Sequence, residues 1–229
     1  MTTLVLLPGM DGTGQLFQPF IRELPVDWPV VVVSYPADAR QGYEALTSLV
    51  RAALPPDRPL VLLGESFSGP VAIQLASELG PRVRALILCC TFARNPRPGL
   101  SWLGGLMGGL PSPAAMPAAV SSLVMLGRQA SAESRGLLAQ ALSALPAAVL
   151  RARLKAVMKV DVIQQLMQVR APVLYLQARQ DLLVPRDVAA GLQRALPSLQ
   201  VVGLEGPHGL LQAAPKAAAA AVRSFLEGG

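Results

Sequence analysis

Histidine occurs once in this chain of 229 residues, at position 208, so any chemistry that needs an imidazole has a single place to find it. Cysteine is nearly as scarce. Cys89 and Cys90 stand side by side at the end of an apolar run, which excludes a disulfide framework and a Cys/His zinc site and suits buried strand residues in a reducing cytoplasm. Aromatic residues make up only 4% of the chain, so packing rests on Ala, Leu and Val. Lysine is confined to Lys155, Lys159 and Lys216, and the arginines are scattered without a run. The net charge of +6 therefore forms no basic stripe, and no nucleic-acid partner is expected. The start lacks a basic segment and a cleavage site, so no secretory signal is expected and the cytoplasm is the expected location.

Charge is absent altogether from Pro98 to Gly127, a length that would fit a membrane span. Pro111, Pro113 and Pro117, together with Gly104, Gly105, Gly108 and Gly109, cut that stretch into pieces shorter than the roughly 20 apolar residues a spanning helix needs. No transmembrane segment is expected, and the stretch reads as an apolar lid or pocket wall.

With 52% hydrophobic and 15% charged residues, the chain suits one globular domain over 1–229 with a large core. Short runs rich in Val, Leu and Ile recur at Leu4 to Leu7, Val30 to Tyr35, Leu60 to Leu63, Leu86 to Cys89, Val173 to Leu176 and Val201 to Leu204. Each reads as a strand buried on both faces. Between them, Tyr43 to Ala53, Phe67 to Leu79, Val188 to Leu196 and Ala217 to Phe225 carry apolar residues at helical spacing. Alternating strands and helices predict an α/β fold with a mostly parallel central sheet flanked by helices. The alternation fails between about Thr91 and Arg170, first Gly- and Pro-rich and then helical from Glu133 to Met167. It reads as a helical cap insertion over about 93–168, placed to cover a crevice at the carboxyl ends of the strands.

Leu60-Val61-Leu62-Leu63-Gly64-Glu65-Ser66-Phe67-Ser68-Gly69 runs an apolar strand into a small-x-Ser-x-small turn and then a helix, the pattern of a nucleophile elbow. The turn is so sharp that only small residues fit two places before and after the serine. An ordinary strand-to-helix loop with a capping serine is the bland alternative. A serine needs a base, and His208, in Glu205-Gly206-Pro207-His208-Gly209 after the last strand, is the only candidate. The base needs an acid, for which Asp181, just after the strand at 173, is preferred. Its rivals are Asp187, at a position where a helix-capping acid is routine, and Asp161 within the insertion. The glycine-rich Leu7-Pro8-Gly9-Met10-Asp11-Gly12-Thr13-Gly14 follows the first strand and offers the Met10 N–H, with that of Phe67, as oxyanion donors. It lacks the Gly-Lys-Ser/Thr ending of a phosphate-binding loop, its glycine spacing does not match the dinucleotide fingerprint, and Asp11-Gly12 reads as a turn.

With these parts in the order Ser, Asp, His, the whole chain resembles the α/β-hydrolase superfamily. Pro8-Gly9-Met10-Asp11-Gly12 and Gly64-Glu65-Ser66-Phe67-Ser68-Gly69 look like a bacterial subgroup also similar to plant acyltransferases that esterify phytol. Two departures stand out: Pro8 where a histidine commonly precedes the oxyanion glycine, and Ser68 where the elbow usually has glycine. The resemblance implies a carboxylesterase acting on a small-molecule ester through an acyl-enzyme at Ser66, with no metal and no organic cofactor. A transferase or thioesterase with the same triad, and a non-catalytic binding protein on this fold, are the alternatives. Trp102, Leu106, Met107 and Met125 are candidate walls of an apolar acyl pocket, with plain lid packing as the other reading.

Overall fold

The computed structural model describes residues 2–100, 118–128 and 130–228. Six strands form one sheet: β1 (Thr3–Leu7), β2 (Val30–Val32), β3 (Leu60–Glu65), β4 (Val83–Cys89), β5 (Val173–Ala178) and β6 (Gln200–Leu204). Their order across the sheet is β2-β1-β3-β4-β5-β6 and every neighbouring pair is parallel. The helices are α1 (Gln18–Ile21), α2 (Tyr43–Ala53), α3 (Gly69–Leu79), α4 (Ala118–Leu126), α5 (Ala132–Ser143), α6 (Ala147–Lys159), α7 (Ile163–Gln168), α8 (Asp187–Ala195), α9 (Leu210–Ala213) and α10 (Pro215–Glu227). Each strand run anticipated from composition is present, and α4 to α7 all fall between β4 and β5.

Strand alternation divides the core into two layers. Val5, Leu7, Leu60, Leu62, Leu86, Leu88, Val173 and Tyr175 face one side, where they pack with residues of α2, α3 and α8. Leu4, Leu6, Val61, Leu63, Ala85, Ile87, Leu174 and Leu176 face the other, against Phe17, Phe20 and the Ala218, Ala219 and Val222 stripe of α10. The inner strands are covered on both faces, which is why they read as continuous apolar runs. Burial of both faces fails at the edges: β2 spans only Val30–Val32 with Val32 40% exposed, and β6 is only half-buried. At β2 the apolar run continues past the strand into loop, whereas β6 ends with its run at Leu204.

Among the described residues no single helix is long and apolar enough to cross a membrane; α5 and α6 reach the necessary length only together, and they meet at 96°. Most of the uncharged stretch from 98 to 127, including the predicted pocket residues Trp102, Leu106 and Met107, lies outside the described residues.

The junction of β3 and α3 is the tightest place in the fold. A Cβ added at Gly64 would come within 2.8 Å of the Ala72 Cβ and 2.9 Å of the Ser68 carbonyl oxygen, while one at Gly69 would overlap the Thr91 side chain. Because the obstacle at Gly64 includes backbone, the helix itself must move to admit a methyl group. Gly64→Ala is expected to lower stability by about 1–3 kcal/mol, the usual cost of overpacking, in urea unfolding; an unchanged midpoint would show that the junction has slack.

Candidate active site

The site is assembled at the carboxyl ends of β1, β3, β5 and β6. Glu65 is the last residue of β3, and Ser66 turns the chain with φ 50°, a left-handed conformation that costs a non-glycine residue of order 1–3 kcal/mol. A single 3-10 turn, Ser66–Ser68, leads into α3. The Thr91 hydroxyl, after β4, donates to the Ser66 carbonyl and fastens the turn from the neighbouring strand. The serine side chain is left at the rim of the sheet, facing the loop after β6.

That loop brings His208, 3% exposed in its side chain, to Ser66: Nε2 is 2.8 Å from Ser66 Oγ. On the other side of the ring, Nδ1 is 2.8 Å from Asp181 Oδ2 and 3.0 Å from Oδ1. Asp181 is itself oriented, since Oδ1 accepts the N–H groups of Leu183 and Val184 at 2.8 and 2.9 Å. An ionised carboxylate only accepts, so Nδ1 carries the proton and Nε2 is the acceptor for the Ser66 hydroxyl. The loop is also tied to α4, because Gly209 N–H donates to the Met125 carbonyl at 2.6 Å.

The other two acids are elsewhere. Asp187 is exposed at the first position of α8, and Asp161 is exposed with its carboxylate on Ile163 N–H at the start of α7. The loop after β1 runs beside Ser66: an ideal Cβ on Gly9 would lie 3.8 Å from the Ser66 Cβ. Asp11 makes the expected turn, accepting from the backbone and hydroxyl of Thr13 at 2.8 and 2.5 Å. Phe67 is fully buried, stacked on Tyr43 with ring centroids 4.8 Å apart. A hydrogen bond to Cys90 together with burial pushes the Cys89 thiol well up, so it is no rival nucleophile. No group of three or more His, Cys, Asp or Glu that could hold a metal ion occurs among the described residues.

Above the serine opens a cavity of about 520 Å³ lined by Ser66, His208, Met10 and a wall from the β4–β5 segment: Val124, Met125, Leu138, Leu142, Leu145, Leu150, Leu154, Val157 and Met158. Its size is that of a small-molecule site and its lining is mostly aliphatic.

Four participants are not among the residues predicted for the site. Glu65 is buried beneath the serine, accepting from Gln212 Nε2 at 3.0 Å, while Gln212 also donates to the Leu16 carbonyl. Arg153, on α6, is 2% exposed and reaches the carbonyls of Met10 and Pro36 at 2.7 and 3.1 Å. It shares the buried face of α6 with Leu150 and Val149, three and four residues before it, and that helical spacing is a usable signal. Tyr35 bonds Ser68 at 2.6 Å, and Ser68 donates to the Pro8 carbonyl.

This combination of a parallel sheet, a serine at the β3–α3 turn and a histidine after the last strand defines an α/β hydrolase. A model of the alpha/beta hydrolase family matches residues 4–222, and the chain belongs to that family. It is 28% identical over 242 residues to a pimeloyl-[acyl-carrier protein] methyl ester esterase of Neisseria meningitidis, covering 97% of this chain and 93% of that protein. It is 33% identical over 103 residues to the chloroplastic phytyl ester synthase 1 of Arabidopsis thaliana, covering 41% of this chain and 15% of that one. The fold superposes on the enol-lactonase of Burkholderia xenovorans with a TM-score of 0.78 at 18% identity, over 99% of this chain and 91% of the other.

Burial pushes the Glu65 carboxyl up to about 7, with the Gln212 hydrogen bond opposing, the Asp11 charge adding and the His208 ring opposing. The unfolded group titrates near 4.5. Between those values the native chain holds a proton the unfolded chain has lost, so stability falls as pH rises through 4.5 to 7 and is level above, by about 3 kcal/mol in all at about 1.4 kcal/mol per pH unit. Glu65→Gln keeps the acceptor for Gln212 and removes the ionisation. It is expected to raise the midpoint of urea unfolding at pH 8 and to match the parent at pH 4.5; an equal pH dependence in both would exclude Glu65 as its source.

Proposed function

We propose that this protein hydrolyses carboxylic esters with an apolar acyl group through an acyl-enzyme at Ser66. The coarser statement, a carboxylesterase-like hydrolase, rests on the family and on relatives named as esterases. What carries the finer one is a single observation: the unbroken hydrogen-bonded line from Ser66 Oγ through His208 to Asp181 ends, at its serine, in an aliphatic cavity. In this reading the Ser66 hydroxyl attacks the ester carbonyl while His208 Nε2 takes its proton, and Asp181 stabilises the imidazolium that results. The carbonyl oxygen becomes an oxyanion held by the N–H groups of Met10 and Phe67. Collapse expels the alcohol, protonated by His208, and water then repeats the sequence to release the acid.

Met125 and its aliphatic neighbours are the proposed acyl wall, and α4 to α7 the proposed lid. The methyl ester in the Neisseria relative's name is one instance of this class. The phytyl ester synthase supports a second reading, in which an alcohol replaces water as the acceptor. Adding long-chain alcohols and looking for transesterified product distinguishes the two.

A fluorophosphonate probe is expected to label the wild type and not Ser66→Ala, and p-nitrophenyl esters of increasing chain length are expected to show an optimum. Asp181→Asn should lose roughly 10⁴ in kcat, the loss typical when a triad acid is removed and the tautomer inverts, while Asp187→Asn should be indistinguishable from wild type. An unlabelled wild type would end the hydrolase reading, and the reverse ranking of the two asparagine variants would move the acid to Asp187.

A further inference from the structure

The proposed oxyanion donor, Met10 N–H, belongs to the Gly9–Met10 peptide in a glycine-rich loop. Such a donor is useful only if its direction is fixed before charge develops. Peptide units are rigid planes, so the orientation of one is set by its own bonds and by the planes on either side.

The plane before it ends in the Pro8 carbonyl, which accepts the buried hydroxyl of Ser68. Ser68 has one proton and gives it to Pro8, so Tyr35, 2.6 Å away, donates to Ser68 in turn. The plane after it ends in the Met10 carbonyl, which accepts Arg153 Nη1 at 2.7 Å. The donor peptide's own carbonyl, on Gly9, accepts Gly12 N–H at 3.1 Å.

Arg153 is a costly way to bind a carbonyl, because a guanidinium must be taken out of water, and its burial lowers its proton affinity. The chain makes room for it specifically. At Gly12, φ +73°, a Cβ would come within 2.6 and 2.9 Å of the two terminal nitrogens of Arg153. The guanidinium also lies over the ring of Phe67, 5.9 Å from its centroid, so it touches the residue carrying the second proposed donor.

We propose that Ser68 and Arg153 form a two-point clamp on the Gly9–Met10 peptide and are positioning residues for the oxyanion hole, one supplied by the elbow and the other by the segment between β4 and β5. Docking of α6 and alignment of the hole are then one event. Ser68, which departs from the usual elbow glycine, has the clamp as its physical reason. The proposal rests on the hydrolase reading above.

The test uses the full chain with p-nitrophenyl butyrate, each variant's active sites being counted by fluorophosphonate titration to its endpoint, so that unfolded protein does not enter kcat. Arg153→Met and Ser68→Ala are each expected to lose about ten-fold or more in kcat per titrated site with KM within about two-fold, up to the 10²–10³ that loss of a whole oxyanion donor costs. The double variant is expected to fall short of the product of the two losses, since both hold one peptide. If Arg153→Met yields no titratable protein, Arg153→Lys is read by the same criterion. A kcat per titrated site equal to wild type, with only the melting temperature lowered, would make both residues merely structural and overturn the clamp. Failure of the wild type itself to titrate would overturn it by a different route, through the hydrolase reading.

Discussion

A left-handed backbone at Ser66 is the constraint on which the surrounding structure depends. Serine does not adopt φ 50° for free, and the neighbours are arranged to hold it there. Gly64 lets β3 and α3 approach more closely than any side chain allows, Gly69 leaves room for the Thr91 side chain beside α3, and Thr91, just after β4, grips the Ser66 carbonyl. What the strain achieves is placement. It sets the hydroxyl at the end of the sheet, where the loops after β1, β5 and β6 converge and Nε2 of His208 waits at hydrogen-bond distance.

Beneath and around that serine lies a buried polar layer that a sheet of Val and Leu would otherwise lack. Gln212 satisfies Glu65 and the Leu16 carbonyl, Tyr35 bonds Ser68, which donates to the Pro8 carbonyl, and Arg153 reaches the carbonyls of Met10 and Pro36. Buried polar groups of this kind are expensive when unpaired and rigid when paired. Here Ser68 ties the elbow to the loop after β1, and Arg153 ties that loop to the segment between β4 and β5. The aliphatic cavity sits directly above, so the division between apolar pocket and polar support runs through Ser66 itself.

The architecture was legible because the inner strands are covered on both faces, which leaves runs such as Leu60 to Leu63 unbroken by polar residues. Of the edge strands, β6 matches its apolar run to within one residue, whereas β2 stops at Val32 although the run continues to Tyr35. Ser66, His208 and Asp181 stood out through their loops and their chain order, and the structure brings all three into contact. Met125 lines the cavity, whereas Trp102, Leu106 and Met107 lie outside the described residues. Arg153 escaped notice because Arg151, Lys155 and Lys159 on the same helix suggest a solvated face. The partnership of Glu65 with Gln212 spans 147 residues, and no local pattern encodes it.

The central claim is that the ester's acyl group passes through a covalent bond to Ser66. Mixing the protein with a p-nitrophenyl ester, quenching in acid within the first turnovers and mapping the digested peptides by mass tests it most directly. A mass gain of one acyl group is expected on the peptide containing Ser66, absent from Ser66→Ala and lost on longer incubation before the quench. Turnover with no adduct at any time, or an adduct on a different residue, would contradict it.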